Sequence, residues 1–403
     1  MKQGYLSNYF KGIAAKRLSA VEIDPETSHR HEFNSVAGLK TLFGISKKIL
    51  QAKVLYFDTN EDEFLSSDCE MTWYDARENN PDRTEHRLYF RNTAALEKAG
   101  AGDLLVIALT NEGEINAFIA KTDSTIEKQL LWLFGISDLA EKFESKTIDD
   151  DEDSEISFAF RFIFDELGIE IKETADEYLE QMIREFGNSF PSTRKFSEFA
   201  RKSLGDVDYS ESPDNLIMQF FEHEEMLFRT LEKHIVREKL VSGFGDDVDK
   251  FISYSLSVQN RRKSRAGYAL ENQLEHIFAQ LNIKFSRGQE TENKSKPDFL
   301  FPGIDEYRNN EFSGTRLSML GVKSTCKDRW RQVLAEAARI EQKHLFTLEP
   351  AISVNQTNEM EANKLSLVLP ESLHSTYKKA QRENMLNLSS FIDLVKSRES
   401  TSI

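Results

Sequence analysis

The sequence is poor in cysteine and proline and lacks any long apolar run. Its 403 residues include only two cysteines, Cys69 and Cys326, too few for a disulfide framework or a cysteine-rich zinc site. Apolar stretches such as residues 104–109 fall far short of the roughly 20 residues that span a bilayer. Residues 1–5 lead into polar sequence without the apolar segment of a secretion signal. We therefore expect neither a membrane protein nor a secreted one, and the cytoplasm is the expected compartment.

The chain has enough apolar and aromatic residues to fold into more than one domain. Hydrophobic residues make up 39% of the sequence, which includes 29 Phe and 11 Tyr. The 8 prolines and 18 glycines form no Pro- or Gly-rich tract, and no internal repeat is present. At roughly one domain per 150 residues, this length predicts two or three globular domains.

The charge is acidic overall but unevenly distributed. A formal net charge of −16 argues against broad, nonspecific attraction to nucleic acid. Residues 256–344, however, contain 16 Lys plus Arg against 11 Asp plus Glu. A solvated surface accounts for such a segment as readily as a nucleic-acid contact does, so the charge balance alone leaves both open.

An acidic run divides the chain into two parts of different character. Residues 149–153 read Asp-Asp-Asp-Glu-Asp, and a run of like charges is typical of a linker or exposed loop. Before it, short apolar and β-branched stretches separated by turn residues predict strands. These strands are expected at residues 50–57, 71–74, 85–90, 103–108 and 117–120. We expect a compact, β-rich first domain over residues 1–150.

After the acidic run, the apolar spacing changes to that of helices and then alternates. Helices are expected at 156–167, 173–186, 197–202, 215–240 and 248–257, and beyond Gly267 at 268–281, 328–341, 372–383 and 388–396. Strands are expected at 297–301, 317–323, 344–348 and 365–369. The pattern predicts an acidic linker with connecting helices over 151–187, followed by an α/β domain with a mixed sheet over 188–403.

Three ionisable residues of the α/β domain have a spacing that suggests a metal-dependent catalytic site. Asp298 begins a predicted strand, Lys323 ends the next one, and Glu336 lies on the predicted helix after it. Neighbouring strands bring such side chains together, and two converging carboxylates bind a hard divalent cation, here expected to be Mg²⁺. Such an ion, with Lys323 orienting water or neutralising charge, suits phosphodiester hydrolysis. Glu271 is a further candidate acid, although each residue taken alone is also typical of a solvated strand end or turn.

The sequence segments around these residues resemble those of a known family. Asp298, Lys323 and Glu336 resemble the variant PD-(D/E)XK active site, in which the second acid has moved to the following helix. Residues 260–267 (NRRKSRAG), 296–302 (KPDFLFP) and 325–332 (TCKDRWRQ) resemble the C-terminal domain of EcoRII-type restriction endonucleases. The first domain resembles the N-terminal effector domain of the same enzymes at residues 16–20, His31, Tyr74, Arg77, Arg83, Glu85 and Arg87.

The resemblance implies both a fold and an activity. The implied fold is an N-terminal β-rich DNA-binding pseudobarrel plus a C-terminal α/β restriction-endonuclease-like (PD-(D/E)XK) domain with a mixed central sheet. The implied activity is that of a homodimeric, Mg²⁺-dependent type II restriction endonuclease that cuts double-stranded DNA at CC…GG sites of the CCWGG or CCNGG kind. A second copy of the site, bound by the effector domain, is expected to regulate cleavage, and a cognate DNA methyltransferase is the expected genetic partner. Asp298 and Glu336 become metal ligands, Lys323 the catalytic lysine and Glu271 an auxiliary acid.

The resemblance also implies DNA contacts. Lys327, Asp328 and Arg329 match a base-reading trio, and such a triplet suits adjacent G·C pairs because Arg or Lys donates to guanine while a carboxylate accepts from cytosine N4. A helix N-terminus capped by Asp328 is the alternative. Expected phosphate contacts in the catalytic domain are Arg261, Arg262, Lys263 and Arg265, and DNA contacts in the effector domain are Lys16, Arg17, His31, Arg77, Arg83 and Arg87. Solvated turns and solubilising surface arginines are the alternatives for both sets.

The segment 218–225 departs from the family, which leaves the central base of the site open. Phe220 and Phe221 within it either stack against an extruded base or belong to the core. Three other functions also remain open. The chain can be a sequence-specific DNA-binding protein without useful turnover, a modification-dependent nuclease that does not cut unmodified DNA on its own, or a nuclease whose acidic surfaces dock a protein on which cleavage depends.

Overall fold

A computed structural model describes most of the chain and divides it into two compact units. The described residues are 6–23, 31–33, 36–58, 64–79, 82–136, 139, 142–148, 158–169, 176–205, 207–209 and 211–400. The first unit comprises residues 1–169 and 350–355, and the second comprises 170–349 and 356–403. The acidic run 149–153 lies outside the described residues. The functional division into 1–150, 151–187 and 188–403 stays a prediction.

The first unit is built on an eight-stranded sheet. Its strands are β1 (Phe10–Arg17), β2 (Glu32–Phe33), β3 (Lys48–Phe57), β4 (Leu65–Asp75), β5 (His86–Phe90), β6 (Leu104–Thr110), β7 (Ile115–Ala120) and β8 (Glu144–Thr147). The order across the sheet is β2-β5-β4-β3-β7-β6-β1-β8. Neighbours are antiparallel except β3 and β7, which are parallel. All five strands predicted for this part of the chain are confirmed, whereas β1, β2 and β8 were not predicted.

The core of the first unit follows from the burial of its central strands. Residues 104–109 are buried on both faces of β6, which explains their continuous apolar run. Trp73 is fully buried and donates from Nε1 to the Gly44 carbonyl at 3.0 Å. The helices of this unit are α1 (Ala20–Ile23), α2 (Lys40–Phe43), α3 (Ala94–Glu97), α4 (Thr125–Leu133) and α5 (Phe158–Glu166). The β-rich prediction is confirmed, and the pseudobarrel stays a prediction.

From residue 176 onward, helices surround a second sheet. They are α6 (Asp176–Phe186), α7 (Thr193–Ser203), α8 (Pro213–Ser242), α9 (Val248–Gln280), α10 (Ile304–Arg308), α11 (Trp330–Leu334), α12 (Val354–Ala362), α13 (Lys379–Arg382) and α14 (Leu388–Ser400). Helix α8 begins where Ser212 accepts a hydrogen bond from Asn215 N–H, with Pro213 at the first turn. In the described part of the chain, even these long helices are not apolar enough to cross a membrane.

Helix α9 corrects the prediction of two helices separated near Gly267. It runs unbroken for 33 residues, because acidic side chains of α8 neutralise part of the basic cluster, for which a solvated turn was the alternative. Arg262 Nε lies 2.6 Å from Glu232 Oε2, and Arg265 forms an ion pair with Glu225. The single glycine costs only about 1 kcal/mol in a helix interior, which these contacts and the packing of α9 offset.

The sheet of the second unit is mixed, as predicted. Its strands are β9 (Ser286–Arg287), β10 (Phe299–Phe301), β11 (Ser318–Val322), β12 (Lys343–Phe346) and β13 (Leu365–Val368), in the order β13-β12-β11-β10-β9. Strands β11, β12 and β13 are parallel, while β10 is antiparallel to both β11 and β9. Every residue of β10, β11 and β12 is buried, as expected for strands covered on both faces.

Two predicted helices are shorter in the structure. The predicted helix 328–341 is a 3-10 turn (Lys327–Arg329) followed by the five-residue α11. It stops because the ammonium of Lys343 binds the carbonyl oxygens of Ala337 and Ile340 at 3.1 and 3.0 Å, and that of Glu336. The predicted helix 372–383 is likewise a 3-10 helix (Glu371–Thr376) followed by α13.

Candidate active site

Asp298 and Lys323 meet where β10 begins and β11 ends. The strands are antiparallel, with Phe299 opposite Leu320, so the residue before β10 lies beside the last residues of β11. Asp298 Oδ2 accepts hydrogen bonds from Val322 N–H at 2.6 Å and from Lys323 Nζ at 3.1 Å. Their side chains are 18% and 13% exposed. The expectation that neighbouring strands bring these two groups together is confirmed, and their catalytic role stays a prediction.

Glu336 lies just past the end of α11 and faces the same site. Burial, and then the negative charge of Asp298, raise the pKa of its carboxyl from 4.5 to about 7, while Lys323 and Lys343 partly oppose the rise. Among the described residues, its Oε2 atom has no hydrogen-bond partner although it is buried. A buried carboxylate oxygen that is repelled by the charge of Asp298 and accepts no hydrogen bond is suited to bind a cation.

Two residues that sequence reasoning missed hold Glu336 at the site. Lys343 is only 8% exposed and fixes the turn through the carbonyl oxygens of residues 336, 337 and 340. Gly321 allows α11 to pack directly on β11, because a Cβ atom there would lie 2.8 Å from Val333 Cγ2. A glycine inside an apolar strand signals such a close approach, whereas nothing in the sequence separates Lys343 from a solvated lysine.

Glu271 reaches the site from α9 and is held by an arginine that was also missed. Arg287 Nη2 donates to Glu271 Oε2 at 2.8 Å, Arg287 Nη1 donates to Asn272 Oδ1 at 2.8 Å, and Glu275 pairs with the same guanidinium. Burial, and then the charge of Asp298, raise the pKa of Glu271, and Arg287 opposes the rise. Glu271 therefore lies within electrostatic reach of Asp298, as an auxiliary acid requires.

The site fits a metal that needs few protein ligands. Within the described ranges, no group of three or more His, Cys, Asp or Glu side chains is close enough to hold a metal ion. Mg²⁺ does not need one, because it is usually bound by one or two carboxylates with waters and substrate phosphate completing its shell. Asp298 and the unsatisfied oxygen of Glu336 supply that number of carboxylates.

Lys327, Asp328 and Arg329 form the 3-10 turn after the site. Asp328 is 59% exposed and forms an ion pair with Arg331, and Arg329 is exposed as well. Cys326 occupies the N-cap position and makes no side-chain cap hydrogen bond. The turn leads directly into α11, whose N-cap is Arg329, again without a side-chain cap hydrogen bond. The helix N-terminus given as the alternative is therefore present, but Asp328 does not cap it. Two polar side chains of the trio are accessible from solvent.

The basic run on α9 is only partly accessible. The guanidinium of Arg265 is 5% exposed, with its carbon 4.2 Å from the ring centroid of Phe228, and that of Arg261 lies 4.0 Å from the centroid of Phe190. Arg262 and Lys263 are exposed. A phosphate contact by Arg265 does not follow from its position, because its guanidinium is buried and forms an ion pair with Glu225.

Phe220 and Phe221 belong to the core of the second unit. Their exposures are 0% and 6%, and the ring centroid of Phe220 lies 5.9 Å from that of His276. The core alternative is confirmed, and stacking on an extruded base does not follow from these positions.

Lys16 and Arg17 face different surroundings in the first unit. Lys16 has no exposed surface, and its Nζ atom lies 2.7 Å from Glu22 Oε1. The expected DNA contact of Lys16 is therefore corrected to a buried ion pair, which β1 forms because the side chain points into the core. Arg17 is 24% exposed and pairs with Glu127.

The other predicted effector-domain residues lie at the surface. Arg77 Nε is 2.6 Å from Glu85 Oε2, and Arg87 Nη2 is 2.8 Å from Glu85 Oε1. These pairs hold the pKa of Glu85 down at about 2. His31 and Arg83 are exposed. Arg77 and Arg87 are only partly exposed, and Arg87 also pairs with Glu32. Contact of these four residues with DNA stays a prediction.

Comparison with known proteins identifies the family. The family model for the EcoRII C-terminal domain matches residues 228–392. The type II restriction enzyme EcoRII of Escherichia coli is 32% identical, over 96% of this chain and 93% of its own length. Among solved structures, metal-depleted Ecl18kI in complex with uncleaved, modified DNA is similar at 18% identity and a TM-score of 0.45, over 58% of this chain and 88% of that one. The PspGI–substrate DNA complex is similar at 15% identity and a TM-score of 0.43, over 52% and 93%. Because the match to the E. coli enzyme extends over nearly the full length of both chains, this chain belongs to the EcoRII family of type II restriction endonucleases.

Proposed function

We propose that this endonuclease hydrolyses phosphodiester bonds of double-stranded DNA at CC…GG sites, of the CCWGG or CCNGG kind, with Mg²⁺ as cofactor. The observation that carries the proposal is the contact of Lys323 with Asp298 beside Glu336, whose Oε2 atom has no hydrogen-bond partner in the described part of the chain. These groups converge next to an exposed basic and acidic turn. That arrangement puts hydrolysis and base recognition within one short segment of chain.

Each residue of the site has its own role in hydrolysis. Asp298 and Glu336 would hold the ion, which when bound stabilises charge that develops on the phosphodiester and favours attack by water. Lys323 presents its ammonium to the phosphate oxygens and orients the attacking water, a role suited to a lysine whose Nζ atom is already fixed 3.1 Å from Asp298. Glu271, fixed by Arg287, contributes further negative charge near the ion.

Base recognition is assigned to the turn after Lys323. Lys327 and Arg329 donate to guanine O6 and N7, and Asp328 accepts from cytosine N4. Lys263 is exposed on α9, and Arg262 pairs with Glu232 but keeps 50% of its side chain exposed. Both contact phosphates and so position the duplex without reading its sequence.

The first unit is proposed as a DNA-binding pseudobarrel that acts as an effector domain. Arg17, His31, Arg77, Arg83 and Arg87 contact a second copy of the site, whose binding releases inhibition of cleavage. The enzyme works as a homodimer in the cytoplasm, and a cognate methyltransferase protects host DNA. A plasmid with two sites is then cut at least several times faster than one with a single site. Removing residues 1–150 raises the rate on the single-site plasmid, and equal or lower activity would contradict an inhibitory domain.

The direct test is to incubate the purified protein with unmethylated phage DNA, with and without Mg²⁺, and to sequence the fragment ends. Discrete ends at CC…GG that require Mg²⁺ are expected, and they also define the central base. Binding without cleavage at any protein concentration would contradict the proposal and favour a binding protein. Cleavage of methylated DNA alone would identify a modification-dependent nuclease.

A further inference from the structure

Glu349 is a buried carboxylate that the proposed hydrolysis does not use. It follows β12, is 4% exposed, and accepts a hydrogen bond from the backbone N–H of Cys326. Its charge also helps to raise the pKa of the buried Cys326 thiol well above its ordinary value, after the larger effect of burial. Burying a charged group costs free energy, so the position of Glu349 next to the proposed base-reading turn indicates a role for its carboxylate.

The turn that begins at Cys326 needs to be held in place. Lys327 has a φ of +31°, a left-handed conformation that is unfavourable for any residue with a side chain. Such a conformation persists only where surrounding contacts impose it. Two side chains do so, since Glu349 binds the N–H of Cys326 and the amide of Gln356 donates to the carbonyl of Lys327.

Glu349 is itself anchored from two sides. Its N–H donates to Thr347 Oγ1 at 3.2 Å, and its carbonyl accepts from the hydroxyl of Tyr377. Thr347 and Tyr377 are 0% and 3% exposed. The backbone of Glu349 is therefore fixed, which places its carboxylate opposite the N–H of Cys326. A charge-assisted hydrogen bond to a backbone N–H is stronger than a neutral one.

We propose that Glu349 is a positioning residue for sequence discrimination. It fixes the start of the turn so that Lys327, Asp328 and Arg329 meet the base edges in register. This inference rests on the proposed base-reading role of that turn. Loss of Glu349 would let the turn relax towards ordinary backbone angles and move the trio, while Asp298 and Lys323 keep their own mutual contacts.

The test measures kcat/KM of the full chain on two duplexes. One carries the site defined by end sequencing, and the other has one outer G·C pair of that site inverted. In Glu349→Ala the ratio of the two kcat/KM values is expected to fall about tenfold or more, as when the readout of one base pair is lost. Glu349→Gln is expected to keep the ratio within about threefold, because its amide oxygen still accepts the N–H of Cys326.

Asp214→Ala is the matched control. Asp214 is 3% exposed and also accepts backbone N–H groups, from Leu388 at 2.8 Å and Ser389 at 3.0 Å. Its loss is expected to lower stability and leave the ratio unchanged. If Glu349→Ala does not fold, Gln356→Ala releases the same turn from the other side and is expected to lower the ratio as well.

The outcomes separate this inference from the proposed function. A wild-type enzyme that cleaves both duplexes equally would overturn the recognition site, and this inference with it. A discriminating wild type whose Glu349→Ala or Gln356→Ala variant keeps the full ratio would overturn only the positioning role. A Glu349→Gln variant no better than Glu349→Ala would overturn the hydrogen-bond explanation.

Discussion

The buried carboxyl of Glu336 should destabilise the metal-free enzyme. Its pKa is about 7 in the folded chain against an ordinary value of 4.5, and one pKa unit corresponds to about 1.4 kcal/mol. The ionised form therefore costs the folded state about 3 kcal/mol. Because the folded state holds this proton more tightly than the unfolded state, the contribution of Glu336 to stability is most favourable below about pH 4.5 and is lost as the pH rises through 7.

Glu336→Gln removes this ionisation while keeping the shape of the side chain. We expect the variant to be more stable than wild type by about 3 kcal/mol at pH 8, and by less than about 1 kcal/mol at pH 5. Urea unfolding in EDTA at both pH values measures the difference. Adding Mg²⁺ should stabilise the wild type and not the variant, because only the wild type binds the ion with both carboxylates.

Glu341→Gln serves as the control, because the Glu341 side chain is 79% exposed and its ion pair with Lys364 lies at the surface, where such pairs contribute about 0–1 kcal/mol. It should change the free energy of unfolding little at either pH. A Glu336→Gln variant that is no more stable than wild type at pH 8, or that retains the wild-type pH dependence, would refute the reasoning.

Three further variants test how the site is held. Gly321→Ala should lower the cleavage rate at least tenfold, because the new Cβ would press on Val333 and displace α11, and Val333→Ala in the same chain should restore part of that rate. Arg287→Ala should lower the free energy of unfolding by about 3 kcal/mol in a denaturant titration, because it leaves Glu271 buried without its partner, and a combined Arg287→Ala, Glu271→Gln variant should recover part of that loss. Lys343→Met should raise the Mg²⁺ concentration needed for half-maximal cleavage, because the turn carrying a metal ligand loses its anchor, and an unchanged Mg²⁺ requirement would contradict that role.

The pairing of Asp298 with Lys323 could be predicted because it depends on local rules. Short apolar strands with a charged residue at one end are readable from sequence, and adjacent antiparallel strands bring the start of one beside the end of the other. The position of Glu336 was harder to predict. Its helix ends early because Lys343, on the next strand, binds carbonyl groups that a longer helix would have used.

The roles of charged side chains were the hardest to predict from the sequence, because they depend on partners far away in the chain. The basic cluster of α9 was expected to contact phosphates or to form a solvated turn, yet Arg265 and Arg262 pair with Glu225 and Glu232 of α8 within a continuous helix. Lys16 resembled a surface DNA contact, but it is buried in an ion pair. Local spacing identifies strands and helices, whereas the burial of a charge is decided by tertiary packing.

The most direct test of the central claim is single-turnover cleavage by Lys323→Ala, measured beside its DNA binding. We predict that the variant binds the cleaved site with an affinity close to wild type and cuts it about a hundredfold to a thousandfold more slowly at saturating Mg²⁺, the order expected when a main stabiliser of the transition state is lost. Lys323→Ala cleaving at the wild-type rate would contradict the assignment of the catalytic centre.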